Sequence, residues 1–134
     1  VPWVTYCDPE LAHVGLSNAQ ALEEFPDAIT LRWPFSENDR AVAERSTEGL
    51  IKISTKKNGV VLGASIVGKN AGELLLPWVM AVKERKKIAD IATLIAPYPT
   101  YSEVSKRVAG SFFTPKLFSP RTTELVRFLM RWFS

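Results

Sequence analysis

The chain is predicted to fold as an α+β domain, an antiparallel sheet of four to five strands with helices packed on it. Three observations point there. Between Asn58 and Met80 the apolar pattern switches once, from the period of a strand to the period of a helix. Strand-like and helix-like segments elsewhere follow one another without the regular alternation of a parallel sheet. A length of 134 residues, 46% of them hydrophobic, is enough for one real core, so one folded unit is expected.

In chain order, Val1–Cys7 is a short strand through Val4 and Tyr6, ended at Asp8-Pro9-Glu10 by a turn or the first turn of a helix. Val14-Gly15-Leu16 is a second extended piece. Ser17 opens a helix to about Phe25, with Gln20 as its capping-box partner, and Pro26-Asp27 stops it. Ile29, Leu31 and Trp33 alternate with Thr30 and Arg32, so Ala28–Phe35 is a half-buried strand until Pro34 ends its pairing. Ser36–Arg45 is polar and reads as a loop with a helical turn.

Leu50–Thr55 and Val60–Val67 flank Asn58-Gly59, residues that suit the positive φ of a tight reversal, and form a hairpin. Gly63 and Gly68 leave room for another backbone, and Asn70 is placed to cap a helix running from Ala71 to Arg85. That helix is apolar nearly all round through Leu74, Leu75, Trp78, Val79 and Val82, and Lys83–Lys87 suit its negative end. Pro77 cannot donate to the carbonyl four residues back and is expected to kink it. Such a helix is buried on two sides, the second by another subunit. Ile88–Leu94 is a further short helix, Pro97 and Pro99 break the next stretch, and Ser102 or Thr100 caps a helix from Glu103 to about Phe113. Thr122–Phe133 is amphipathic, with Glu124, Arg127 and Arg131 opposite Leu125, Phe128, Leu129 and Trp132.

Composition excludes several functions. A formal charge of +3, scattered except at Lys83–Lys87, does not indicate a nucleic-acid surface. Cys7 is the sole cysteine, which excludes an internal disulfide and a cysteine-based metal cluster and fits a reducing, cytoplasmic setting. No stretch has a signal-peptide layout, and the apolar run Leu74–Val82 is far short of the about 20 residues that span a bilayer. With no initiating methionine and an opening inside a strand, the chain is expected to be an excised part of something longer. Gly63, Gly68 and Gly72 are too widely spaced for a dinucleotide turn, and there is no phosphate loop or nucleophile elbow. His13, the only histidine, would need unusual ligands for a zinc site or a triad and is read as a partly exposed residue near a strand start. No metal site is expected.

Chemistry is left to Pro97-Tyr98-Pro99-Thr100-Tyr101-Ser102-Glu103. Two prolines restrict Tyr98, an aromatic–proline bond favours cis, and a carboxylate five residues on can fold back towards the tyrosine. On spacing alone, a stiff loop leading into a capped helix accounts for the same residues.

Three blocks carry a resemblance: VTYCDPELAHVGLS (Val4–Ser17), GVVLGASIVGKNAGELL (Gly59–Leu75) and YPTYSE (Tyr98–Glu103). In order and spacing they resemble the C-terminal dimerisation domain of the FAD-dependent pyridine nucleotide-disulfide oxidoreductases, over roughly residues 3 to 113. The resemblance implies residues 1–113 as the dimerisation domain and 114–134 as a C-terminal extension with its amphipathic helix. It also implies a homodimer, with FAD and NAD(P)H held by domains of the parent chain absent here, and no turnover by this piece alone. In disulfide-reducing members the last block begins with an acid/base histidine, oriented by a glutamate, that serves the partner's flavin and redox cysteines in cell redox homeostasis. By position Tyr98 replaces that histidine, Pro99 and Thr100 match, and Glu103 matches the glutamate. Tyr98 and Glu103 are therefore the candidate catalytic residues, and Tyr98 and Pro99 the candidate cofactor-facing ones. A phenol, with a reference pKa near 10, is a poor base but can donate a hydrogen bond or stabilise a thiolate.

Tyrosine at that position is similar to mercuric reductases, which also end in paired cysteines that this chain lacks. The competing expectation is a purely structural interface module with no catalytic residue. For Thr122–Phe133 the alternatives are packing on the body of the protein and lying on a membrane surface.

Overall fold

The computed structural model describes residues 1–114, 125 and 127–131. Five strands, β1 (Trp3–Thr5), β2 (Leu11–Gly15), β3 (Ile29–Pro34), β4 (Leu50–Thr55) and β5 (Val61–Val67), form one antiparallel sheet in the order β1-β2-β5-β4-β3. Around it lie α1 (Asn18–Glu24), α2 (Asp39–Ala43), α3 (Ala71–Leu74), α4 (Leu76–Lys83), α5 (Ile88–Ala92) and α6 (Glu103–Ser111), with one 3-10 turn at Phe35–Glu37. The α+β expectation holds.

The strand register sorts the two faces. Ala12 lies opposite Ile66, Val14 opposite Ala64, Ile51 opposite Ile66, and Ile53 opposite both Ala64 and Leu31. Strand alternation puts these apolar residues on one face. There α4 packs over β2 and β5, and α6 over β3 and β4. The opposite face pairs His13 with Ser65, Lys52 with Ser65 and Arg32 with Lys52. On that side Asn18 of α1 accepts hydrogen bonds from Thr30 and Ser54.

Several boundaries move for identifiable reasons. β2 begins at Leu11, because Leu11, Ala12 and His13 are paired on both sides, by β1 and by β5. It ends at Gly15, whose φ of 75° turns the chain away. The capping box at Ser17 and Gln20 forms as expected. Pro34 is tolerated because it ends β3, an edge strand. The hairpin forms, but with a three-residue loop. The Gly59 amide donates to the Lys56 carbonyl and the Lys56 amide to the Val60 carbonyl, and of Asn58 and Gly59 only Gly59 has positive φ. Asn58 instead accepts the Val60 amide with its side chain at 3.1 Å.

Asn70 does not cap by side chain. It takes the left-handed conformation, φ 63°, at the entry to α3, and the side-chain acceptor there is Glu10, which receives the Gly72 amide at 3.1 Å. The expected kinked helix is two helices, since α3 stops at Leu74 and α4 restarts at Leu76 with Pro77 in its first turn, where a missing N–H costs nothing. The break turns Trp78 fully into the core, where its indole nitrogen donates to Ser105 of α6 at 3.0 Å. Among the described residues no helix is long and apolar enough to cross a membrane.

Candidate functional site

The loop between α5 and α6 carries the proline-flanked tyrosine, and its shape is set from α2. Asn38 caps α2 by accepting the Ala41 amide at 2.9 Å, and its amide nitrogen donates to the Thr100 carbonyl at 3.0 Å. Asn38 is only 4% exposed, so this bond is a buried anchor. The Thr100 hydroxyl donates to the Pro97 carbonyl at 2.6 Å. That leaves α6 without a side-chain cap from either Thr100 or Ser102; the Thr100 carbonyl accepts the Glu103 amide instead.

Both tyrosines of the loop also bond to α2 and the residue that ends it. Tyr101 is buried against the Phe35 ring, and its hydroxyl donates to Glu44 at 2.8 Å. Glu44 further receives Lys69 and Arg40, each at 3.0 Å. The Lys69 ammonium, the Tyr101 hydroxyl and the Arg40 guanidinium, in that order, hold the Glu44 carboxyl down at about 2. Burial, then the bond to Glu44, pushes Tyr101 up from the ordinary phenol value.

Tyr98 stands at the exposed end of this scaffold, 70% accessible, with its peptide bond to Pro99 cis. Pro99 is exposed beside it. The phenol donates to the Asp39 carboxylate at 2.7 Å. That bond first, and the carboxylate's charge second, push the phenol up from its ordinary value, and the charge of Glu103 adds to the rise. Glu103 lies in the first turn of α6 and meets the phenol through charge rather than through a hydrogen bond. The structure thus brings Tyr98, Pro99 and Glu103 to one end of the molecule and gives the phenol a different carboxylate as its partner. Asn38, Asp39 and Glu44 were missed in the sequence. Asn-Asp at a helix start was a readable capping signal, but nothing local joins it to a tyrosine 59 residues away.

His13 is used up within the sheet. Its Nε2 donates to the Gly15 carbonyl at 2.8 Å, which leaves Nδ1 to accept from the Ser65 hydroxyl at 2.7 Å, and its ring lies 5.6 Å from that of Trp3. Among the described residues no group of three or more His, Cys, Asp or Glu side chains is placed to hold a metal.

The molecule is an α+β domain whose candidate site is one anchored, outward-facing aromatic loop. The chain belongs to the pyridine nucleotide-disulphide oxidoreductase dimerisation domain family, which matches residues 1–109. It is 36% identical over 110 residues to dihydrolipoyl dehydrogenase of Geobacillus stearothermophilus and, equally, to that of Bacillus subtilis (strain 168), covering 81% of this chain and 23% of each relative. Among solved structures it resembles LpdA from Mycobacterium tuberculosis, with 30% identity, a TM-score of 0.77, and 83% of this chain and 24% of that one covered. It also shares the fold of the HOCl-induced flavoprotein disulfide reductase RclA from Escherichia coli, in its Cu(II) complex, at a TM-score of 0.79 and 24% identity over 83% of this chain and 25% of that one. The chain spans about a quarter of the length of these proteins. These relatives are dihydrolipoyl dehydrogenases and a flavoprotein disulfide reductase, and the likeness to mercuric reductase is read from Tyr98.

Proposed function

We propose that this domain joins two copies of an FAD-dependent NAD(P)H oxidoreductase and completes the redox site of the partner subunit in trans, with Tyr98 as the group it contributes. The observation that carries the reading is the contrast within one loop. Tyr101 is buried and the Thr100 carbonyl is gripped by Asn38, while Tyr98, its phenol bonded to Asp39, and Pro99 stay exposed at the surface. An anchored, exposed group on a dimerisation domain is suited to act on a neighbouring subunit. The family resemblance puts FAD and the nicotinamide in other domains of the parent, where flavin would supply hydride chemistry, and the lack of a Gly-x-Gly-x-x-Gly turn here is in keeping with that. What this chain offers that cofactor is Tyr98 and Pro99, with Glu103 adding negative charge beside them.

Apolar side chains support a self-association surface on α4, where Leu76 is 64% and Met80 50% exposed. The test is Tyr98→Phe in the full-length flavoenzyme. A fall in kcat of about tenfold or more with intact dimers supports the reading, and unchanged turnover would leave only a structural interface.

Residues 114–134 are read as an extension, since the family match stops at 109 and α6 at Ser111. Residues 115–124, 126 and 132–134 lie outside the described set, but Leu125 and 127–131 are helical, with Leu125, Phe128, Leu129 and Met130 exposed beside Arg127 and Arg131. An apolar face with cationic flanks supports contact with a membrane surface by a cytoplasmic protein.

A further inference from the structure

Resting on the reading that Tyr98 serves the partner's redox site, we propose that Asp39 is the positioning residue of Tyr98, and that the pair presents the neighbouring subunit with a hydrogen-bond acceptor rather than a donor. A phenol has one proton, and here it is committed to the Asp39 carboxylate at 2.7 Å. The remaining valence of the oxygen is its lone pairs. Asp39 is itself in the first turn of α2, the helix whose cap, Asn38, grips the same loop at Thr100. Carboxylate and phenol are therefore carried by two segments that Asn38 ties together.

The charged groups that act on the phenol are Asp39 from α2 and Glu103 from α6, both acidic, and both oppose loss of its proton. Two carboxylates at this site also repel an anion. The partner group that fits is thus a proton donor, a protonated thiol or an N–H, and a thiolate is disfavoured. This narrows what tyrosine alone allows, since a free phenol can either donate or accept. It also assigns the orienting role to a side chain far from the proline-tyrosine segment, while Glu103 contributes charge.

The test uses the full-length flavoenzyme and its Asp39→Asn, Asp39→Ala, Glu103→Gln, Tyr98→Phe and Tyr98→Phe/Asp39→Ala variants. Phenolate absorbance, with the Tyr98→Phe spectrum subtracted, reports the ionisation of Tyr98 directly. The expected result is that Asp39→Asn lowers the ionisation pH of Tyr98 towards the ordinary phenol value and Glu103→Gln lowers it less. In turnover, Asp39→Ala is expected to cost about tenfold, the scale of one charge-assisted hydrogen bond, and the double variant to be no worse than Tyr98→Phe. Dimer mass and flavin content, checked for each variant, separate these effects from misfolding. An unmoved Tyr98 titration in Asp39→Asn, or losses that simply add in the double variant, would overturn the proposal while leaving the role of Tyr98 intact. Unaltered turnover in Tyr98→Phe would overturn both.

Discussion

Glu44 does the most at a single position, because one carboxylate gathers a lysine, an arginine and a buried tyrosine from three parts of the chain. Its pairs with Lys69 and Arg40 are partly exposed and individually weak, whereas Tyr101 is a buried residue whose hydroxyl has this carboxylate as its acceptor. A carboxyl whose folded pKa, about 2, lies below the unfolded 4.5 stabilises the fold at pH above 4.5 and loses that contribution as pH falls from 4.5 towards 2. Denaturant midpoints measured between pH 2 and 6 should therefore fall with acid more steeply in the native chain than in Glu44→Gln. Equal slopes would remove Glu44 from the account. At this scale the sequence exposes Tyr98, Pro99 and the local cap at Ser17, because each is written in residues within a few positions of one another. Asp39, Asn38 and Glu44 look like solvated polar residues of a loop until the fold sets them against residues 98–101.

Among the elements, the join between β2 and α1 shows how little slack the sheet leaves. A side chain on Gly63 would place its Cβ 2.0 Å from the Leu16 carbonyl oxygen, a backbone atom that cannot step aside. Gly63→Ala is expected to destabilise the fold by about 2 kcal/mol or more, read as a shift in urea midpoint without loss of slope. The α4–α6 contact makes a second prediction. Ser105→Ala removes the acceptor for the Trp78 indole in a fully buried position and should cost about 1–3 kcal/mol, more than an exposed serine change such as Ser102→Ala. Hydrophobic period, with the Asn58-Gly59 signal, located the hairpin and the apolar helix around Trp78, whereas α6 was placed from the prolines before it and from caps at Thr100 or Ser102 that do not form. The split of the long helix into α3 and α4 escaped it, because proline in a first turn and proline in a kink leave the same trace in an apolar pattern.

For the whole molecule, the sheet and the inward faces of α4 and α6 account for one core, and Leu76, Met80, Leu94 and Ile95 remain exposed outside it. α6 turns Val104, Val108 and Ala109 inward and leaves Lys106 and Arg107 at the surface, so the apolar part of the proposed interface is assigned to α4 rather than α6. Replacing both Leu76 and Met80 by Glu in the full-length enzyme should halve its mass in light scattering while the flavin stays bound; an unchanged mass would place the two-fold contact elsewhere. Removing residues 122–134 should abolish cosedimentation with anionic vesicles, and equal binding with and without them ends the membrane reading. The sequence alone determined the α+β class, the hairpin, the alternation that makes one face of the sheet apolar, and the stiff tyrosine loop, since period, capping and proline chemistry are local properties. Only the tertiary structure decided which carboxylate holds the phenol and which way its proton points. A hydrogen bond between residues 59 apart exists only once the sheet has placed α2 and the loop side by side.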